Sequence, residues 1–298
     1  MISVVTATYN RSYCIEKLYN SLCEQLDHDF EWVIIDDGST DNTELLVDDW
    51  KRKESSFPIY YRKKINAGKH RAINDAMQIV HGTYVFLVDS DDWLTKDAIY
   101  KIKSWIAEID NDNSFAGVSG CKGLESKTER LLGHFPEGVQ VIDATNIERV
   151  KKKLAGDKAE VYRTDILRRY PFPEFEGEKF LPEAAVWDQI AKDGYRIRWH
   201  KDVIYICEYR SDGLTSNSDK YIKDNFKGYT YVRKKSFRLY PFPYNWVVLI
   251  SYIDVAKDMN LPRQKIIYNM EIKDAEYYFA CFLYIFWKKI QKFKNRGK

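Results

Sequence analysis

The feature that most constrains this chain is the alternation of two hydrophobic periods over its first 120 residues. Ile2–Thr6, Trp32–Ile35, Ile59–Arg62 and Tyr84–Val88 are short runs rich in β-branched and aromatic residues, the composition of strands buried on both faces. Between them apolar residues recur at helical spacing. Ile15, Leu18, Leu22 and Leu26 follow Ser12 as an expected cap, and Leu45 and Leu46 follow Ser39-Thr40-Asp41. Ala72, Ile73, Ala76 and Ile79 form a third stripe, with Gly82 expected as its C-terminal glycine. This rhythm predicts an α/β fold with a mostly parallel central sheet and flanking helices.

From about Ala116 to Tyr209 the pattern is mixed. Strands are expected at Gly117–Cys121, Val139–Ile142 and Val203–Tyr209, and Pro182 opens a helix that runs towards Gly194. Beyond about residue 218 tyrosine, lysine and long apolar blocks dominate. The expected organisation is a catalytic domain over 1–217 and a helical, aromatic and basic extension over 218–298, with no internal repeat.

Composition weighs against several classes. The 45% of hydrophobic residues and net charge of +3 argue against disorder and against a dedicated nucleic-acid binder, although an average charge can hide a local patch. Cys14, Cys23, Cys121, Cys207 and Cys281 are scattered and form no C-x-x-C pair, which points to reduced thiols rather than a disulfide framework or zinc site. Met1 leads straight into Ile2–Ala7 without a basic n-region, and no apolar run reaches the roughly 20 residues of a bilayer span. A cytoplasmic location is expected.

Carboxylates gather where open α/β sheets bind ligands, at the carboxyl ends of the expected strands. Ile35-Asp36-Asp37-Gly38-Ser39 is one such place and Val88-Asp89-Ser90-Asp91-Asp92 another. Pro182-Glu183 is a third at a helix start, and Thr8-Tyr9-Asn10 is an uncharged counterpart at the first strand end. Each acid alone reads equally as a helix cap or turn residue. Three carboxylates within Asp89–Asp92 repel one another unless a cation or several donors offset them. Hard oxygen ligands select Mg²⁺ or Mn²⁺, shared with substrate phosphates. In extended backbone Asp89 and Asp91 share a side, with Asp92 directed elsewhere or capping the next helix. No P-loop or G-x-G-x-x-G occurs. Asn66-Ala67-Gly68-Lys69-His70-Arg71 opens the third helix with a glycine and basic side chains, which suits either a phosphate or a solvated first turn.

These residues resemble glycosyltransferase family 2, enzymes of the GT-A fold. Val5–Asn10 is similar to the family's V-P-x-Y-N opening, with Thr6 where proline is common. Trp32–Asn42 resembles V-x-V-D-D-G-S-x-D-x-T, Gly68–Ala76 resembles G-x-x-x-A-x-N-x-A/G, and Val88–Trp93 resembles the V-D-S-D-D core. The resemblance implies that Thr8, Tyr9 and Asn10 line the nucleotide, that Tyr9 abuts the base and that Asp37 accepts from it, favouring uracil. It implies that Asp89 contacts ribose or the metal shell, that Asp91 ligates Mn²⁺ or Mg²⁺, and that Lys69 and Arg210 reach the diphosphate. The family's general base is usually the Asp of an E-D pair at a helix start. Glu183, eleven residues before Gly194, takes that place here behind Pro182, with Asp188 one helical turn on as the other candidate. The implied reaction is an inverting single displacement from a nucleotide-sugar donor to a glycan or polyprenol-linked acceptor in surface polysaccharide synthesis. The alternatives are a nucleotidyltransferase on a similar sheet and a degenerate membrane-associated scaffold.

Tyr277–Trp287 carries no charge, and Lys288–Lys298 adds six basic residues and no acid, so residues 1–287 have a net charge of −3. A helix lying on an anionic membrane at its inner face fits this composition. Packing against the sheet domain, or against another subunit of a homo-oligomer, is the other reading of this block and of Tyr244–Val255.

Overall fold

A computed structural model describes residues 1–54, 56–124, 127–208 and 218–295, apart from the side chains of 127–130, 218 and 286–295. The amino-terminal half runs β1 (Ile2–Thr8), α1 (Glu16–Cys23), β2 (Phe30–Asp36), α2 (Thr43–Lys53), β3 (Ile59–Lys63), α3 (Lys69–Ala76), β4 (Tyr84–Leu87), β5 (Trp93–Leu94), α4 (Ala98–Ala107) and β6 (Phe115–Leu124). It continues through β7 (Lys127–Leu131), β8 (Val141–Ala144), β9 (Lys158–Arg163), α5 (Thr164–Arg169), α6 (Ala184–Lys192) and β10 (Arg196–Cys207). Five helices follow: α7 (Ser218–Asp224), α8 (Phe226–Leu239), α9 (Tyr244–Asp258), α10 (Arg263–Met270) and α11 (Asp274–Asn295).

The described strands form a ten-stranded sheet in the order β3-β2-β1-β4-β9-β6-β10-β5, with β7 beside β6 and β8 beside β10. β1, β2, β3, β4, β6 and β10 run one way, and β5, β7, β8 and β9 run against them. This is the expected mostly parallel α/β sheet. Its alternation is visible in β2, where Phe30, Trp32 and Ile34 enter one core and Val33 and Ile35 the other. α1, α2 and α4 cover the first face, and α3, α5 and α6 cover the second. The carboxyl-terminal helices enclose a third core around Leu249, Tyr252, Ile253 and Met270.

Several local expectations are corrected. α1 ends at Cys23, so Leu26 lies beyond it, 70% exposed, with its N–H donated to the Lys96 carbonyl. Ser12 does not cap α1, because the helix begins at Glu16 with Ile15 in the N-cap position, and the Ser12 N–H donates to Asp41. Leu45 is also exposed, and α2 is anchored through Val47 and Trp50. α3 stops at Ala76, short of Ile79. Gly82 has no capping role: a Cβ there would lie 2.6 Å from the Ser3 nitrogen, so glycine lets the chain cross β1 closely. The strand expected at Val139–Ile142 falls at Val141–Ala144, and the one expected at Val203–Tyr209 is the end of the longer β10, which closes at Cys207, with Tyr209 outside the described residues. β9 was not legible, being a charged and apolar mixture inserted antiparallel between β4 and β6.

At the amino-terminal edge of the parallel strands one buried carboxylate ties three segments together. Glu31, 1% exposed, accepts from Ser3 Oγ at 2.5 Å, from the His81 N–H at 2.6 Å and from the Gly82 N–H at 3.2 Å, and faces His81 Nδ1 at 2.8 Å. Burial opposes its ionisation, but these donors outweigh burial and hold its pKa below the usual value. Glu31→Gln should therefore cost about 2–3 kcal/mol at pH 7 in chemical denaturation. A lowered folded pKa gives stability that is present above the ordinary carboxylate pKa and is lost as pH falls through the folded value. The wild-type advantage over the glutamine variant should accordingly vanish in acid.

Candidate functional site

Because the co-directional strands share one carboxyl edge, the residues that follow them converge there. A cavity of about 570 Å³ opens at that edge. β1 delivers Thr8 and Tyr9, β2 delivers Asp37, β4 delivers Asp89–Asp92, β6 brings Lys122, and β10 brings Cys207 and Glu208. β9 runs the opposite way, so its amino end presents Asp157 at the same edge.

Lys69, the first residue of α3, stands at the electrostatic centre. Its Nζ lies 2.5 Å from Asp89 Oδ1 and 2.9 Å from Glu183 Oε1. One ammonium thus joins the carboxylate after β4 to the carboxylate at the start of α6. Burial alone would favour the neutral amine, yet the two carboxylates override it and push the Lys69 pKa upward. Burial likewise works against ionised Asp89, but the charges of Lys69 and Lys122 hold its carboxyl down at about 2. Asp89 also receives order from below, since its N–H donates to the Tyr205 hydroxyl at 2.9 Å.

Asp89–Asp92 is a turn rather than extended backbone, with the Asp92 N–H on the Asp89 carbonyl. All three acids line the cavity, and Asp92 precedes β5 instead of capping a helix. Asp92 is buried and accepts from the Glu208 N–H; burial, then the Asp89 charge, pushes its pKa up to about 6. Burial and Asp89 raise Asp91 as well, and among the described residues Asp91 has no basic partner within ion-pair distance.

The remaining expected residues divide by placement. Thr8 is 2% exposed on the cavity wall, and its Oγ1 has no partner among the described residues. Tyr9 is 47% exposed at the rim. Asn10 does not line the cavity. It has φ 52°, and its Oδ1 accepts the Thr40 N–H at 2.8 Å while its own N–H reaches Ser39 Oγ, so it clasps the loops after β1 and β2. Asp37 lines the cavity, and its two oxygens accept from the N–H groups of Ala67 and Gly68 and from Asn66 Nδ2 at 2.7–3.1 Å. Its neighbour Asp36 is structural, bonded to the Ser39 N–H and the Tyr61 hydroxyl. Thr6, where proline was expected, is buried and accepts the Trp32 indole N–H at 3.0 Å.

Glu183 is not part of the cavity lining; it meets the site through Lys69, which takes Oε1. It follows an irregular stretch rather than a strand end. Asp188 is not brought to the cavity. It is 3% exposed and accepts from Asn146 Nδ2, Ser236 Oγ and the Tyr240 hydroxyl, which ties α6 to α8. Arg210 lies outside the described residues. Sequence reasoning missed Lys122, whose Nζ sits 4.1 Å from the centre of the Tyr205 ring, and Lys179, whose Nζ bonds Asn66 Oδ1. A lysine inside the buried run of β6 was the one available signal for the former.

The lining charge bears on cation binding. Asp37, Asp89, Asp91, Asp92, Asp157, Glu208 and Asp224 face Arg11, Lys69, Lys122 and Lys179. An anionic ligand thus meets more acids than bases among the described lining residues. Among the described residues no three His, Cys, Asp or Glu groups are pre-arranged around an ion. Mg²⁺ and Mn²⁺ need fewer protein ligands, because one or two carboxylates suffice when phosphates complete the shell. Asp91 and Asp89 fit that mode and do not form a protein-built cage.

A mostly parallel sheet with a carboxylate-rich cavity at its carboxyl edge is the GT-A architecture. The family model for glycosyl transferase family 2 matches residues 3–170, and the chain belongs to this family. Among curated relatives, the putative teichuronic acid biosynthesis glycosyltransferase TuaG of Bacillus subtilis is 25% identical over 239 residues, covering 80% of this chain and 90% of that protein. Several other relatives are longer, and the matches span 32% of their length or less. Among solved structures, S. aureus TarS 1-349 in complex with UDP-GlcNAc superposes with a TM-score of 0.58 at 20% identity, covering 86% of this chain and 72% of that one. The mannosyltransferase PcManGT of Pyrobaculum calidifontis, in complex with GDP-Man and Mn²⁺, gives 0.57 at 17% identity, covering 94% and 74%. These likenesses establish the fold, and the family sets aside the nucleotidyltransferase alternative. No described helix is long and apolar enough to cross a membrane.

Proposed function

We propose that this chain moves a sugar from a UDP-sugar to a hydroxyl of a glycan or lipid-linked acceptor in surface polysaccharide synthesis, with inversion at the anomeric carbon. The observation that carries this reading is the Lys69 bridge, which sets the donor-side Asp89 and the candidate base Glu183 against one ammonium. The relative named for teichuronic acid synthesis and the TarS complex with UDP-GlcNAc support the pathway class and the donor.

In this reading Tyr9 abuts the base and Asp37 keeps lone pairs for a uracil N3–H. Thr8 Oγ1 supplies a buried group that gains a partner when the nucleoside binds. Asp91 and Asp89 would hold Mn²⁺ or Mg²⁺, which when bound offsets negative charge on the departing diphosphate. PcManGT with its bound Mn²⁺ supports that assignment. The diphosphate draws Lys69 from Glu183. Glu183 then takes the proton of the acceptor hydroxyl as that oxygen attacks the anomeric carbon from the face opposite the diphosphate. The glycosidic bond forms, the bond to the diphosphate oxygen breaks, and its electron pair leaves with UDP.

The enzyme works at the inner face of an anionic membrane. Tyr278, Phe279, Phe282 and Ile285 of α11 are 46–57% exposed at helical spacing, and the sequence after Trp287 supplies six basic residues for lipid head groups.

Two outcomes test the proposal. Glu183→Gln should lower UDP release from a turned-over UDP-sugar by about 10²–10⁴-fold while leaving UDP binding intact, and Asp91→Ala should abolish Mn²⁺-dependent UDP binding in calorimetry. Wild-type turnover in Glu183→Gln would remove Glu183 as the base. For the membrane, Phe279→Asp with Ile285→Asp should shift the protein from sedimenting with phosphatidylglycerol vesicles to the supernatant. Unchanged sedimentation would contradict the docking face.

A further inference from the structure

No helix or strand occurs from Tyr170 to Glu183, yet this stretch is held on two sides. From α3, the Arg71 guanidinium donates to the carbonyls of Phe175 at 2.8 Å and Glu178 at 2.5 Å, and to the Glu174 carboxylate at 2.9 Å. From the carboxyl-terminal helices the contact is reciprocal. The Glu178 carboxylate accepts the N–H groups of Lys227 and Gly228 at 2.7 and 2.8 Å, in the first turn of α8. Those N–H groups have no intrahelical acceptor, and a negative charge is favoured beside them. In return Asn225 Oδ1 accepts the N–H groups of Lys179 and Phe180 at 2.7 and 2.9 Å. Glu178 and Asn225 are both buried, at 7% and 6% exposure.

The packing is close on both sides, against backbone at Gly68 and against a side-chain end at Gly228. A Cβ on Gly228 would lie 2.9 Å from Leu181 Cδ1, and a Cβ on Gly68 would lie 2.0 Å from the Lys179 carbonyl oxygen. The stretch is therefore wedged between the amino termini of α3 and α8. The first of these carries Lys69, and the wedge ends at Glu183, five residues beyond Glu178.

We propose that Glu178 and the amino terminus of α8 form a clamp that positions Glu183 against Lys69, making the carboxyl-terminal helices part of the catalytic unit as well as an attachment. This rests on Glu183 as the base. Glu178 does not line the cavity, so any effect of changing it is indirect.

The test uses the full chain with Glu178→Gln, which keeps the shape but turns a donor towards N–H groups, and with Gly228→Ala, which presses on Leu181. Hydrogen exchange of the 174–183 amides should rise about tenfold in both variants while the β1 and β2 amides stay protected. UDP affinity in the presence of Mn²⁺ should fall far less than kcat, the loss coming through Lys179 on the same stretch, while kcat for UDP release falls about 100-fold, the scale of an ångström misplacement. Unchanged exchange, unchanged kcat, or a parallel fall of UDP affinity and kcat with the melting temperature would overturn the clamp. Failure of the wild type to bind UDP would sink the donor reading instead, and the exchange data would still decide the clamp.

Discussion

The Lys69 ammonium between Asp89 and Glu183 is the interaction on which the rest of the site depends. Two carboxylates brought to one small space repel each other, and the lysine offsets both at once. The same bridge limits the proposed role of Glu183, because a carboxylate held against a cation is poorly placed to take a proton. In the proposed reaction a diphosphate with its cation would compete for Lys69, which would make donor binding and release of Glu183 one event. Under the proposal, that coupling would place donor binding ahead of proton transfer.

The fold exists to put those three groups together from distant parts of the chain. Parallel strands bring Asp89 and Lys122 to one edge, and the close passage of Gly68, at φ 103°, beside the Lys179 carbonyl lets α3 begin with Lys69 at that point. Glu183 arrives by a different route, along irregular backbone held by side chains of α3 and α8. Polar side chains repeat that logic: half-buried Asn10 joins two loops, buried Asp188 joins two helices, and buried Glu31 fastens the opposite edge. Each buried polar group is costly unless satisfied, which makes these junctions specific as well as stabilising.

The sequence made the parallel half legible because strands such as β2 hold an unbroken apolar run, Trp32–Ile35, and its acidic turn follows at once. It also placed Asp37, Lys69, Asp89 and Asp91 at the strand and helix ends that line the cavity. What it could not convey were relations set by tertiary contact. β9 carries Lys158, Glu160 and Arg163 and reads as a polar segment, although its partners β4 and β6 make it central. Asp188 matched the spacing of a second base but turns inwards to Ser236 and Tyr240, residues some fifty positions away. Asn10 matched its motif, yet its amide is spent on Thr40. Spacing along a helix or motif fixes where a side chain starts, and partners distant in sequence decide where it ends.

The most direct measurement is a crystal structure of the protein with UDP and Mn²⁺ bound. The account predicts that Lys69 Nζ moves onto the diphosphate and beyond ion-pair distance of Glu183, whose carboxylate then faces open cavity. Lys69 still seated on Glu183 Oε1, with the diphosphate bound elsewhere, would contradict it.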